Sequence, residues 1–327
     1  MSALGKRLQL LLSVLSVLLL IIAGAVFYGW WQMRGSLARL DGDQILPGLG
    51  GPVKVERDAR GIPTLTGATR TDVARALGFI HAQDRFFQMD LLRRRAAGEL
   101  SEIFGAAAVD FDQSARRHGF RRTAEKVVAA LSAEQRAVLD AYVAGVNAGL
   151  SSLRKTPWEY LVLRAPPQSW RAEDSVLCVY AMWFDLQDST GHYERCLAAL
   201  RQAYGAGTFA FFAPLGDAHD AALDGSRFPV PELPPLRLES PAENSTAALV
   251  EFDSALRPGS NNFAIAGNHT ANGAAILEND MHLSLAVPHI WYRASLAWTD
   301  DAGPHRVTGV TLPGLPVVVA GSNEHVA

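Results

Sequence analysis

The sequence predicts an α+β protein whose helices precede its strands. In the first two-thirds of the 327 residues, apolar side chains recur at helical spacing, for example in "AEDSVLCVYAMWFDL". From Ser260 onward the pattern changes to short apolar runs bounded by Gly, Asn, Asp or Pro, which is typical of strands. Residues 221–259, between these parts, are rich in proline and have no period, which predicts an exposed connector.

The chain begins with a segment long enough to cross a bilayer. No charged residue lies between Arg7 and Arg34, and this apolar run exceeds the roughly 18 residues that a span needs. Basic residues precede the run and aromatic residues cluster at its end, which predicts an uncleaved anchor with an exported, periplasmic or extracytoplasmic body. The alternative is a cleavable signal peptide, because Ala23, Gly24 and Ala25 have the small-x-small form of a cleavage site.

Two helices and an edge hairpin are predicted next. The alternating pattern of "PVKVERDARGIPTLTG", with a Gly-Ile-Pro turn inside it, predicts the hairpin. The first helix is predicted to run from Thr71, its N-cap, to Gly105. The second runs from Ser132 to Leu153, since Ser132 and Gln135 have capping-box spacing.

Further helices and five strands complete the predicted elements. The helices cover "AEDSVLCVYAMWFDL" and "YERCLAALRQAYG". The strands are predicted in "NNFAIAG", "AAILEND", "HIWYRASLAW", "HRVTGVTL" and "LPVVVAG".

Composition excludes several classes of function. The formal net charge is -3, so the chain lacks the basic surplus that nucleic-acid binding needs. Cys178 and Cys196 are too few for a disulfide framework or a zinc ribbon. On one straight helix they would lie about 27 Å apart, too far for a disulfide, and buried free thiols are expected.

The stretch "RPGSNNFAIAG" places Ser260 where a loop enters a sheet. Gly259 has no Cβ, so another group can approach its carbonyl closely. That geometry suits a reactive peptide bond, and it suits an ordinary turn equally well. The rest of the sequence must therefore decide between the two.

Four separated stretches decide it. They are "VKVERDARGIPTL"; "ALGFIHAQDRFFQMDLLRRRAAGELSEIFG"; "YVAGVNAGL" with "PPQSWRAEDSV"; and "GSNNFAIAGNHTANGAAILENDMHLSLAVPHIWYRASL" with "LPGLPVVVAGSNEHVA". In their order and spacing they resemble the penicillin acylase (penicillin amidase) family of N-terminal-nucleophile hydrolases, along nearly all of residues 53–327. The resemblance implies a four-layer αββα sandwich with a helical α-chain part, truncated here within the β chain.

The resemblance also implies a precursor that is cut into an α chain, a spacer and a β chain. The expected organisation is a cytoplasmic tip and span (1–34), a linker (35–52), the helical α-chain part (53–220), the connector or spacer (221–259) and the incomplete start of the nucleophile-bearing β chain (260–327). An α/β heterodimer is the expected product.

Ser260 falls at the β-chain start, so cleavage is expected between Gly259 and Ser260. A chain-terminal serine carries its own base in the free α-amino group, which titrates near pH 7.7 to 8.0. Within the precursor this nitrogen is an amide, so activity requires the cut. The resemblance implies that the serine oxygen itself attacks the preceding carbonyl.

His282 matches the family position beside the nucleophile. Histidine occurs there in cephalosporin-type and acyl-homoserine-lactone acylases, and glutamine in penicillin G acylases. Its expected role is to orient or tune the α-amine; the alternative is a structural histidine at a strand end.

Other residues follow from the same resemblance. Five match the region of the acyl pocket, with plain core as the alternative for the aromatic ones: Tyr180, Trp183, Phe184, Leu283 and Val317. Glu194 resembles a carboxylate of a structural calcium site, whereas the chemistry itself needs no cofactor. Three residues of "HAQDRFFQMD" are expected to form ion pairs in the helix layer: Asp84, Arg85 and Asp90. The oxyanion-hole groups are expected beyond Ala327.

The predicted function is a self-processing acylase that cleaves the amide bond of a small N-acyl substrate through an acyl-serine intermediate. β-Lactam antibiotics and acyl-homoserine lactones are the substrate classes that the family hosts. The alternative is a non-catalytic, membrane-anchored fragment that binds acylated ligands or a partner chain.

Overall fold

A computed structural model describes residues 3–187, 191–216, 219–220, 222, 224–228, 231–232 and 260–327. The chain forms two compact units. The first comprises Met1–Trp183 and Ser260–Ala327, and the second is Phe184–Gly259. Most of the predicted connector, including Gly259, lies outside the described residues.

The described residues form helices and strands in the predicted order, so the α+β class is confirmed. The α-helices are α1 Ala3–Gly35, α2 Arg70–Ala97, α3 Ser101–Phe104, α4 Val109–Arg116, α5 Phe120–Ala130, α6 Ala133–Ser152, α7 Trp158–Leu163, α8 Ala172–Asp185 and α9 His192–Phe212. The strands are β1 Lys54–Arg57, β2 Pro63–Thr66, β3 Ser260–Ile265, β4 Ile276–Met281, β5 Tyr292–Asp300, β6 Gly303–Thr311 and β7 Val318–Ser322. Short 3-10 helices cover Gly105–Ala108 and Gly267–His269.

Five strands of the first unit form one sheet in the order β1-β2-β5-β6-β7. The β1–β2 hairpin is antiparallel and β1 lies at an edge, as predicted. β2 pairs in parallel with β5, with Leu65 opposite Leu296, and both side chains are buried. The pairs β5–β6 and β6–β7 are antiparallel, which leaves β7 at the other edge of the described sheet.

Helices α2 and α6 pack closely because glycines line their contact. A Cβ on Gly78 would overlap the backbone carbonyl of Tyr142 on α6. On α6, a Cβ on Gly145 would overlap the carbonyl of Arg75, and one on Gly149 that of Phe79. The glycines of "VAGVNAG" therefore allow two backbones to approach to a distance that any side chain would prevent.

A buried hydrogen-bond chain joins these helices to the sheet through His81. Its Nε2 lies 3.0 Å from Thr311 Oγ1, which in turn donates to the Tyr292 carbonyl at 2.7 Å. Nε2 therefore carries the proton, and Nδ1 accepts from the Tyr142 hydroxyl at 2.8 Å. That hydroxyl accepts from Gly314 N at 2.9 Å. Burial holds the imidazole neutral and lowers the pKa of His81 to about 3.

A second buried network consists of charged groups. Asp90 accepts from Arg93 Nε at 2.6 Å, from Arg94 Nε at 3.0 Å and from the Tyr160 hydroxyl at 2.7 Å. Arg93 also donates to Asp174 at 2.7 Å. Removing one partner of such a network would leave an uncompensated charge in the core. The network therefore holds α2, α7 and α8 in one packing arrangement.

Three predictions about the helices need correction. The N-cap of α2 is Thr69, not Thr71, because the Thr69 hydroxyl accepts from Asp72 N at 3.1 Å. The helix ends at Ala97 rather than Gly105, since Gly98 has φ 69° and closes the last turn. Helices α4, α5 and α7 were not predicted. The capping box of α6 and the buried free thiols are confirmed.

Candidate active site

Ser260 is the first residue of β3, which pairs antiparallel with β4 in a separate two-stranded sheet. The register joins Ser260 to Met281 and continues without interruption to Ile265 opposite Ile276. Ser260 is therefore observed at the start of a strand, as predicted.

The connection between β3 and β4 is held by Thr270. Its hydroxyl lies 2.7 Å from the Ala274 carbonyl and 2.9 Å from the Gly267 carbonyl. Gly273 has φ 75°, a left-handed conformation that glycine adopts without steric cost. This local chemistry fixes the hairpin register and hence the strand position opposite Ser260.

His282 follows Met281, the strand partner of Ser260. Its Nε2 lies 2.8 Å from Asp280 Oδ2. Asp280 is opposite Asn261, so Asp280 and the Ser260 side chain belong to opposite faces of the hairpin. In the strand register, His282 is therefore adjacent to the backbone nitrogen of Ser260. Its ring is hydrogen-bonded to Asp280, on the hairpin face opposite the Ser260 side chain.

The sequence analysis missed Asp280. Alternation in a strand places residues two apart on one face, so a carboxylate two positions before His282 was a readable signal. In a neutral ring, a proton on Nε2 that is donated to Asp280 leaves Nδ1 with a lone pair. The pair can therefore fix the ring tautomer and offer an acceptor to a nearby amine.

The hairpin is open to solvent in the described chain. All residues of β3, and all of β4 except Met281, are exposed. Phe263, Ile265 and Ile276 share one face and are all exposed apolar side chains. Such a face is normally buried against another layer.

Three of the five predicted pocket residues lie on α8, and the other two lie beside strands. The rings of Tyr180 and Trp183 both contact Phe120 of α5, at centroid distances of 4.9 and 5.8 Å. Phe184 is buried and belongs to the second unit. Leu283 is half-buried just after β4, and Val317 is exposed just before β7. For Tyr180 and Trp183, the acyl-pocket role and the core role are both still predictions.

Glu194 lies in the first turn of α9 and is exposed. Among the residues that the structure describes, no group of three or more His, Cys, Asp or Glu side chains could hold a metal ion. Calcium needs six to eight oxygen ligands. One exposed carboxylate does not meet that need by itself, and calcium at Glu194 stays a prediction.

The charged residues of "HAQDRFFQMD" have structural partners. Asp84 accepts from Arg57 Nη2 at 2.8 Å and from the Tyr292 hydroxyl at 2.6 Å. Arg85 donates to the His289 carbonyl at 2.7 Å. Asp90 forms its ion pairs with Arg93 and Arg94 of the same helix. Asp84 and Arg85 link the helix to other elements, although Arg85 also donates to Gln88 of α2 at 3.0 Å.

A family comparison was made with the whole chain. The family model described as penicillin amidase matches residues 52–327. The chain belongs to the penicillin amidase family.

Individual relatives are also similar. The chain is 35% identical over 303 residues to penicillin acylase 2 proenzyme of Pseudomonas sp. (strain SE83), covering 87% of this chain and 36% of that protein. It is 31% identical over 302 residues to acyl-homoserine lactone acylase QuiP of Pseudomonas aeruginosa, covering 89% and 34%. The chain spans about a third of the length of these curated relatives. A solved structure of thermostable penicillin G acylase from Alcaligenes faecalis is similar at 24% identity and TM-score 0.43, covering 52% of this chain and 95% of that chain.

Proposed function

We propose that this chain is part of a self-processing acylase in which Ser260 is the nucleophile. The observation that carries the proposal is the hairpin register, which puts Ser260 at a strand start and His282 just beyond its strand partner. Membership of the penicillin amidase family supports the same reaction class.

Processing comes first. The Ser260 hydroxyl attacks the Gly259 carbonyl carbon, the peptide C–N bond breaks, and the nitrogen leaves as the amine of Ser260. Water then opens the ester, so Gly259 keeps a carboxylate and Ser260 recovers its hydroxyl. The products are an α chain and a β chain that remain together as a heterodimer.

Turnover uses the new amine as the general base. It takes the hydroxyl proton while the oxygen attacks the substrate carbonyl, and it returns that proton to the leaving amine. Water hydrolyses the resulting acyl-serine ester. His282, held by Asp280, accepts a hydrogen bond from the α-amine of Ser260 and so orients or tunes it. No cofactor is required.

The substrate is a small N-acyl compound. Relatives named penicillin acylase and acyl-homoserine lactone acylase match the chain at similar identity, which supports both substrate classes for the protein. A non-catalytic fragment that binds acylated ligands is the alternative, and it requires that Ser260 play no part in turnover.

Helix α1 is proposed to be a membrane anchor. Gln9–Gly35 is long and apolar enough to cross a membrane, and none of its most hydropathic window is buried. A signal sequence would pass the same test. The anchor places the body outside the cytoplasm.

The experiment is expression from the native gene, with and without Ser260→Ala, and with Ser226→Ala as the matched control at an exposed serine. N-terminal sequencing should give Ser-Asn-Asn-Phe for the wild type and the control. The S260A protein should stay uncut and release no amine from penicillin or from an acyl-homoserine lactone. An uncut wild type with full activity would refute the assignment of the nucleophile.

A further inference from the structure

We propose that the body docks on the membrane surface through a patch beside the end of α1. This juxtamembrane patch consists of five residues: Leu37, Leu40, Trp158, Leu161 and Val162. The proposal rests on the membrane anchor proposed above, and its occupant is the lipid leaflet into which α1 inserts.

The patch is apolar and exposed. Val162 is 68% exposed and Leu37 is 69% exposed. Single exposed apolar residues are common on protein surfaces, whereas several together mark an interaction site. On α7, Tyr160 is buried and its hydroxyl donates to Asp90 at 2.7 Å. That bond fixes the helix to α2 while Trp158 and Val162 stay exposed.

Four of the five patch residues line two cavities, and Val162 lies four residues after Trp158, on the same side of α7. Leu37, Leu40 and Trp158 line one cleft of about 1050 Å³. Trp158 and Leu161 line a smaller pocket of about 350 Å³ that also includes Gln32 of α1. Trp158 is thus shared by both cavities and joins the linker side of the patch to the helix α7 side.

The patch is also fixed to the point where the span ends. Lys155 N donates to the Gly35 carbonyl at 3.0 Å, and Lys155 Nζ lies 3.9 Å from the ring centroid of Trp31. The Arg34 guanidinium lies 5.5 Å from the ring centroid of Trp30. Tryptophan and basic side chains at the end of a span mark the depth of the lipid headgroups.

The charge on the α7 side of the patch favours anionic lipid. Residues 154–164 contain three basic side chains, Arg154, Lys155 and Arg164, and one acidic side chain, Glu159. Basic groups beside exposed Trp and Leu are the composition of an interfacial surface on anionic lipid. The leaflet is also the surface that the span brings next to the patch.

The test uses the full chain in nanodiscs of phosphatidylethanolamine and phosphatidylglycerol, with a spin label at carbon 5 of some acyl chains. A fluorophore is attached to a single new cysteine, either Val162→Cys or the control Asp301→Cys, in the exposed β5–β6 turn beside Asp300. Cys178 and Cys196 are buried, so the new thiol reacts first.

The spin label should quench the fluorophore at position 162 by at least about twofold more than the one at position 301, because the patch lies at the headgroup boundary. Adding Leu161→Asp should reduce quenching at position 162 without lowering the melting temperature. A chain that does not elute with the nanodiscs overturns the anchor and this proposal together. A chain that elutes with them but shows equal quenching at both positions overturns the docking alone.

Discussion

Replacing His81 with glutamine tests the buried hydrogen-bond chain through its pH dependence. In the folded state the pKa of His81 is lowered to about 3, while an unfolded histidine titrates near 6.5. Below pH 6.5 the unfolded state therefore binds a proton that the folded state does not, and stability is lost as pH falls from 6.5 towards 3. Above pH 6.5 the two states bind equally.

The size of this effect follows from the pKa difference. Each pH unit within the window costs about 1.4 kcal/mol, so at pH 4.5 the wild type should have lost about 2.7 kcal/mol from His81 alone. His81→Gln keeps an acceptor and a donor for Tyr142 and Thr311 but cannot titrate. The variant should be less stable at pH 7.5, and its stability should fall less steeply on acidification.

The assay is urea unfolding of the full chain in detergent, followed by tryptophan fluorescence at several pH values. The control is His269→Gln, which removes an exposed imidazole and should reproduce the wild-type profile. Carboxylates titrate in every variant, so the slope difference isolates His81. Parallel profiles for wild type and His81→Gln between pH 6.5 and 4.5 would refute the account of the network.

Three further changes probe packing, charge and chemistry. Gly145→Ala should lower the free energy of unfolding by about 1 to 3 kcal/mol, because its Cβ would overlap the Arg75 carbonyl; an unchanged urea midpoint would contradict it. Asp90→Asn should cost about 3 to 5 kcal/mol by removing the buried carboxylate charge that Arg93 and Arg94 share, which the same titration measures. Asp280→Asn should lower kcat roughly tenfold and shift the pH–rate profile, with normal processing. An unmoved profile would assign the Asp280–His282 pair to hairpin structure.

Local patterns in the sequence predicted local structure well. Ser132 and Gln135 have the spacing of a capping box, and both hydrogen bonds form. Thr69 and Asp72 have the same three-residue spacing, and the Thr69 hydroxyl, not that of the predicted cap Thr71, accepts from Asp72 N. The cap is decided by which hydroxyl reaches a free backbone N–H.

The contacts between distant elements could not be predicted in the same way. The parallel pairing of β2 with β5 joins Leu65 to Leu296, and nothing local in either strand specifies that partner. Helices α4 and α5 were not predicted because they are only 8 and 11 residues long, so few apolar positions repeat within each.

The candidate site was predicted in part. The position of Ser260 came from its glycine-led turn and from the family resemblance, and the structure places it at the start of β3. The bond from His282 to Asp280 depends on strand alternation, which becomes certain only once the register is known.

The parallel pairing of β2 with β5 also determines the order of events during synthesis. β2 occupies its place only after β5 has left the ribosome, since Leu65 and its strand partner Leu296 lie 231 positions apart in the chain. Closing so long a loop is slow because its ends must meet before any contact compensates for the lost chain entropy. The sheet is therefore a late folding event, and it encloses the proposed cut site within its own loop. Strand pairing, once made, would hold both pieces of a cut chain together without any covalent link.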